Sequence, residues 1–250
     1  MKLLYTIKLF FFLLFMVAAC SKEGGTDNAA ANSGTGTGGS LARFTIAANH
    51  LYIADYATIG VYDISTPNNP VKKTDVQVGF GVETIYPYQD KLFIGAATGM
   101  FIYSIANPSL PVKLGEARHV RSCDPVVANG TTAYVTLRGG SPCGPAEDGL
   151  YIYDISNIMS PVLKKLFPLS TPAGLGVKDS VAYVCRGNSG LSLVNVKDIS
   201  SPALINTLQE GVFNDVIVYG NLLICYVSTG IFLYDISNPA IAVRVGTISY

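Results

Sequence analysis

The chain has 250 residues, enough for one sizeable domain or two small ones. Seventeen Lys and Arg balance seventeen Asp and Glu. Lys2 and Lys8 lie in the first ten residues, so the rest carries 15 basic against 17 acidic groups, near −2. There is no basic patch and no acidic tail, so the sequence has no electrostatic footprint for nucleic acid.

The N-terminus reads as a bacterial lipoprotein leader over residues 1–19. Lys2 and Lys8 supply the positive start, and Leu9 to Val17 is an unbroken apolar run. The run ends in Val17-Ala18-Ala19-Cys20, small residues before a cysteine. A secretory leader has this layout, while a membrane-spanning helix needs about 20 apolar residues. The ending resembles the lipobox, which makes Cys20 the expected lipid attachment site. The expected address is the bacterial cell envelope, lipid-anchored at the outer membrane, on its periplasmic side or at the cell surface.

Residues 20–40 follow as a tether. From Ser21 to Ser40 the chain contains Gly, Ser, Thr, Asn, Ala and three charges, with nothing larger and apolar. Such a segment buries too little to offset its ordering entropy. As a Gly-rich coil it would span roughly 25 Å.

Residues 41–250 repeat themselves. Tyr62-Asp63-Ile64-Ser65-Thr66-Pro67 recurs as Tyr103-Ser104-Ile105-Ala106-Asn107-Pro108 and as Tyr153-Asp154-Ile155-Ser156-Asn157. Val194-Asn195-Val196-Lys197-Asp198 and Tyr234-Asp235-Ile236-Ser237-Asn238-Pro239 complete the set. The second residues of these motifs stand at 63, 104, 154, 195 and 235, giving spacings of 41, 50, 41 and 40. A period near 40 holding four short strands is the signature of a propeller blade. The third unit parses as strands over 125–128, 133–137, 150–155 and 161–167, with Asn129-Gly130 as a hairpin turn. The matching turns are Asn49-His50, Gln89-Asp90, Lys178-Asp179 and Gly220-Asn221. The fold class expected is all-β, a β-propeller of five blades with four antiparallel strands each. One blade cannot bury its own apolar faces, so the array must close or take an added partner.

The Tyr-Asp-Ile-Ser-Asn-Pro element, after a Leu-Tyr-Ile-type strand, resembles the LVIVD repeat of bacterial surface proteins, in five copies from Leu41 to Tyr250. The second copy departs with Ser104, and the fourth with Asn195 and Lys197. The resemblance implies a propeller scaffold and no particular chemistry. The recurring Asp reads as turn chemistry, its side chain accepting nearby backbone N–H groups.

Apart from Cys20, the cysteines are Cys123, Cys143, Cys185 and Cys225. An oxidising compartment permits a disulfide. Cys123 precedes the first strand of unit three and Cys143 follows its second, so a hairpin returns them to one end. Closing that loop would contribute roughly 3 kcal/mol. Cys185 and Cys225 sit inside apolar second strands of different units and read as small buried hydrophobes. His50 and His119 form no paired metal motif, and neither a metal nor a cofactor is expected.

The insertion in unit three, Arg138 to Gly149, is the main break in uniformity. Extra loop residues on a regular scaffold often carry specificity. Loops entering each first strand, and those joining second to third strands, share the face around the channel mouth. Arg121, Asp124, Arg138, Asp148, Arg186 and Asp215 are the candidate binding residues on it, within a wider rim of Asp55, Glu83, Glu147 and Asn214. The expected function is a non-enzymatic binding or scaffold lipoprotein, membrane-bound by its anchor, with a protein or glycan partner. The alternative is an enzyme, a hydrolase or lyase, with an asymmetric site at the mouth. The second-strand column nearest the mouth, Ala54, Gly95, Thr136, Cys185 and Cys225, offers it no convergent acid, base or metal group.

Overall fold

The computed structural model describes residues 38–119, 121, 125–140 and 144–249. Twenty strands form five four-stranded antiparallel sheets, set as blades in a ring. Blade 1 holds β1 (Phe44–Ala47), β2 (His50–Ala54), β3 (Thr58–Asp63) and β4 (Val71–Gln77). Blade 2 holds β5 (Val82–Tyr88), β6 (Lys91–Ala96), β7 (Gly99–Ser104) and β8 (Val112–Arg118). Blade 3 holds β9 (Val126–Asn129), β10 (Thr132–Leu137), β11 (Gly149–Asp154) and β12 (Val162–Pro168). Blade 4 holds β13 (Leu175–Lys178), β14 (Val181–Cys185), β15 (Leu191–Asn195) and β16 (Ala203–Leu208). Blade 5 holds β17 (Phe213–Tyr219), β18 (Leu222–Val227), β19 (Gly230–Asp235) and β20 (Val243–Ser249). Within each blade the strands pair in sequence order, with the first strand innermost. The expected five-bladed propeller is the fold observed.

In blades 2, 3 and 4 the second and third strands are largely apolar on both faces because these blades are covered on both sides. Four packed cores result. Blades 1 and 2 share one around Tyr52, Val61, Ile85 and Phe101. Blades 2 and 3 share Ile102, Val126, Val135 and Tyr153. Blades 3 and 4 share Tyr134, Ile152, Val184 and Val194. Blades 4 and 5 share Tyr183, Leu193, Phe213 and Tyr234. Cys185 and Cys225 lie in this last core as fully buried free thiols, as their sequence setting implied. Tyrosine hydroxyls reach into the next blade: Tyr52 donates to the Pro108 carbonyl at 2.8 Å and Tyr183 to that of Pro239 at 2.7 Å. Fourth strands are largely exposed, and Pro161 precedes β12 at this outer edge. Each third strand carries a register shift toward the fourth, between Val61 and Tyr62 and at the same column in every blade. Such bulges increase local twist.

The first hairpin of each blade turns through a residue with positive φ: Ala48 (48°), Gln89 (53°), Gly130 (58°), Asp179 (52°) and Gly220 (58°). Three turns therefore sit one residue from where local chemistry put them. In blade 3 the turn is Gly130-Thr131, because Asn129 stays in the ladder opposite Thr132. The Asn129 amide donates to the Asp179 carbonyl of blade 4, a contact no local pattern reveals.

The repeated acidic column is turn chemistry. Asp63 Oδ1 accepts from Ser65 N at 2.9 Å, Asp154 Oδ1 from Ser156 N at 2.9 Å, and Asp235 Oδ1 from Ser237 N at 2.8 Å. Ser104 and Asn195 accept in the same way from Ala106 and Lys197. These bonds from serine hold the three carboxyls below the usual carboxylate range, Asp154 at about 2. The stability they contribute is present above the ordinary carboxylate pKa and is lost as pH falls through the lowered value. The melting temperature should therefore drop between about pH 4 and pH 2. Replacing Asp63, Asp154 and Asp235 together by Ala should lower it at neutral pH and flatten the acid limb. An unchanged acid limb, followed by circular dichroism, would reject this account.

Candidate functional site

The mouth is built from the loops that enter the first strands and those that join second to third strands. Backbone hydrogen bonds lace these loops together: Val82 N to the Tyr56 carbonyl at 2.9 Å, Ala97 N to Gly81 at 2.8 Å, and a two-way pair between Gly187 and Phe213. Loop positions are thereby fixed across neighbouring blades.

At the centre lies the first described segment, from residue 38 on. Gly39 and Ser40, read from composition as the end of the tether, are buried parts of the domain. Ser40 Oγ accepts from Leu175 N at 2.7 Å and donates to Asp215 Oδ1 at 3.2 Å. Leu41 N donates to Asp215 Oδ2 at 3.3 Å, and the Ala42 carbonyl accepts from Ile85 N at 2.9 Å. A Cβ on Gly39 would stand 2.1 Å from Asp215 Oδ2, and one on Gly174 would stand 2.1 Å from Oδ1. Only glycines leave room for this carboxylate. Burial pushes the Asp215 carboxyl up, against hydrogen bonds from Val216, Leu41 and Ser40 that pull it down.

The other candidate charges are distributed unevenly. Asp148 ties the insertion to the loop before blade 4, accepting from Gly139 N and Thr171 N, each at 2.8 Å. Arg186 spreads its guanidinium over the Ser170 carbonyl at 3.1 Å, Ser170 Oγ at 2.6 Å and Ser192 Oγ at 3.1 Å. Asp148, Arg186 and Asp215 thus hold loops in place. Arg121 and Arg138 are exposed. Asp124, Cys123, Cys143 and Cys20 lie outside the described residues. Within the insertion Gly140 and Gly144 exchange backbone hydrogen bonds of 2.6 and 2.7 Å. A Cβ on Gly144 would lie 2.3 Å from the Arg121 carbonyl, so the insertion abuts the strand-entry loop.

One exposed feature escaped the sequence reading. Tyr56 and Phe80 stand edge to face on the rim, ring centroids 4.7 Å apart at 77°. Both are exposed, next to Asp55. The available signal was an aromatic between two glycines, Gly79-Phe80-Gly81, in a loop column with no core to fill. Exposed aromatics offer large contact area at low entropy cost.

In the second-strand column at the mouth, Thr136 Oγ1 donates to the Ala173 carbonyl at 2.6 Å, and burial pushes the Cys185 and Cys225 thiols up. His50 bonds the Ala48 carbonyl and Ser109 Oγ, each at 2.8 Å. Among the described residues no three His, Cys, Asp or Glu are grouped to hold a metal ion.

Replacing Asp215 by Ala should leave Ser40 Oγ and Leu41 N without their acceptor. The expected loss is about 1–3 kcal/mol, read as a lower melting temperature. Amide exchange at Leu41 and Leu175 should quicken. Unaltered exchange there would mean that Asp215 does not hold the segment.

The LVIVD repeat model matches residues 38–78 and 145–167. Curated proteins give no match. Three solved structures share the architecture. The computationally designed Ika8 protein is 14% identical over 82% of this chain and 60% of its own, with a TM-score of 0.60. A functionally unknown protein from Desulfotomaculum acetoxidans is 8% identical over 81% of this chain and 67% of its own, at 0.64. The periplasmic gluconolactonase PpgL of Pseudomonas aeruginosa is 11% identical over 81% and 68%, at 0.63. The chain therefore spans 60% of the designed protein's length and about two thirds of the other two. At these identities the likeness is one of fold. The chain is a five-bladed β-propeller in which two segments, in blades 1 and 3, match the LVIVD repeat.

Proposed function

We propose that this protein is a lipid-anchored binding or scaffold module of the bacterial cell envelope, tethered through Cys20, that engages a protein or glycan at its mouth without catalysis. The supporting observation is the division of labour at that face. Asp148, Arg186 and Asp215 are spent on loop-to-loop hydrogen bonds. Solvent meets instead Tyr56, Phe80 and Arg121. Exposed aromatic faces suit contact with a sugar ring or a protein surface. A hydrolytic site would want carboxylates free to take and give protons.

A disulfide between Cys123 and Cys143 belongs to the same proposal. Arg121 and Gly144, two and one positions from these cysteines, lie so close that a Cβ on Gly144 would clash with the Arg121 carbonyl, which supports the pairing. Pinning the insertion removes ordering entropy before a partner arrives.

Two measurements test the reading. Mass analysis of protein extracted from the envelope should find an acylated peptide beginning at Cys20 and one cross-linked peptide joining Cys123 to Cys143. The Cys20→Ser chain should accumulate as precursor. Acylated product from that variant, or a free thiol at either cysteine in the extracted protein, refutes the corresponding part. For binding, a glycan screen and envelope pull-down should yield a partner whose affinity falls at least tenfold in Tyr56→Ala/Phe80→Ala. Hydrolysis of a screened sugar or lactone by the purified protein would instead favour the enzyme.

A further inference from the structure

The turn between third and fourth strands is built the same way in blades 2, 3 and 5. Asn107, Asn157 and Asn238 accept through Oδ1 from the N–H groups of Ser109, Met159 and Ala240 at 3.2, 3.2 and 3.1 Å. Their carbonyls accept from the N–H groups of Leu110, Ser160 and Ile241 at 3.1, 3.0 and 2.9 Å. What each fixed turn holds up to solvent is apolar: Leu110 is 54%, Met159 74% and Ile241 57% exposed. Val112, Val162 and Val243 follow within three residues, exposed at the heads of β8, β12 and β20. Tyr219, at the first hairpin of blade 5, is exposed on the same side. All these turns lie opposite the mouth, because the third strands run away from it. Blades set around one axis carry equivalent turns at one height, so the apolar tips are coplanar and spaced around the ring. Of the cations at the heads of these strands, Lys113 is held by Glu116 at 2.5 Å, Lys164 by Asp154 at 3.2 Å and Arg244 by Glu210 at 3.1 Å. Apolar surface rather than net charge is what this side offers.

We infer that the side opposite the mouth rests on a lipid bilayer, with Leu110, Met159 and Ile241 entering the boundary between headgroups and acyl chains. A protein partner calls for one contiguous apolar patch, whereas separate tips in a single plane fit a flat surface. Apolar side chains gain burial at that boundary, and a tyrosine ring favours the headgroup level. The inference rests on the lipid anchor at Cys20 proposed above, which keeps the domain near a membrane. Gly39 and Ser40 lie at the mouth, yet the tether before them has the reach to bring Cys20 to the other side. Residues 20–37 extend up to about 60 Å. A blade measures roughly 17 Å along its strands and about 19 Å across them. This orientation turns the mouth outward, open to the partner it is proposed to bind.

The chain contains no tryptophan, so a single introduced one reports alone. Full chains purified from the envelope and carrying Met159→Trp, Ile241→Trp or Phe80→Trp, all at exposed positions, are reconstituted into phosphatidylcholine vesicles with brominated acyl chains. The Met159→Trp and Ile241→Trp reporters should each lose at least half of their emission, while Phe80→Trp keeps its own. The pattern should persist at about 1 M NaCl, where charges are screened beyond about 3 Å. Unquenched reporters at both 159 and 241, as under a protein partner, overturn the inference. So does stronger quenching of Phe80→Trp, which would put the mouth on the bilayer, and so does quenching that salt abolishes. Mass analysis of the same chains keeps the two readings apart. An acylated Cys20 with unquenched reporters removes the docking side and leaves the anchor standing. Quenched reporters on a chain without acyl at Cys20 do the reverse.

Discussion

A sheet with apolar side chains on both faces cannot be covered by its own four strands. Each blade depends on its neighbours, and most of the chemistry of the repeat serves that dependence. In the inner blades the second and third strands are largely apolar because both their faces meet another sheet. Tyrosine appears where its ring can fill an interblade core while its hydroxyl reaches a carbonyl of the adjacent unit. The acidic residue that ends the third strand fixes the turn from which the outer strand departs.

Polarity is concentrated at the mouth, and much of it is structural. Loops of different blades meet there without a repeat to set their geometry. Individual side chains do so instead: Asp148 between the insertion and the blade 4 entry, Arg186 across two serines, Asp215 around the start of the domain. Each satisfies several donors or acceptors at once, which suits a loop surface short of regular backbone partners.

The scaffold was legible in the sequence because its causes recur. A five-fold motif at a spacing of 40–41 gives the blade count, and the strand runs follow from hydrophobicity and turn residues. Blade 3 shows this, with 133–137 expected and Thr132–Leu137 found. Turn positions shifted by one where a tertiary contact, such as Asn129 to Asp179, competed with local preference. The mouth was less legible. Ser40 sits in a stretch whose composition signals only flexibility, and its partner lies 175 residues away. Among the described charged candidates, Arg121, Arg138, Asp148 and Arg186 stand in loops and Asp215 in β17, and which would turn inward depended on distant backbone. Tyr56 and Phe80 were passed over because aromatics in this chain are so often core.

The clasp between Ser40 and Asp215 also bears on how the protein folds. Each interblade core joins units adjacent in sequence, so blades can form and dock one after another, as in a linear repeat array. The clasp brings together residues 175 positions apart, and such contacts carry the greatest loop-closure entropy. It belongs to the last step, after the arc of blades already exists. Interactions formed that late act on the rate of unfolding rather than the rate of folding. The two glycines that admit the Asp215 carboxylate thus govern how long the folded propeller keeps Ser40 and Leu41 in place.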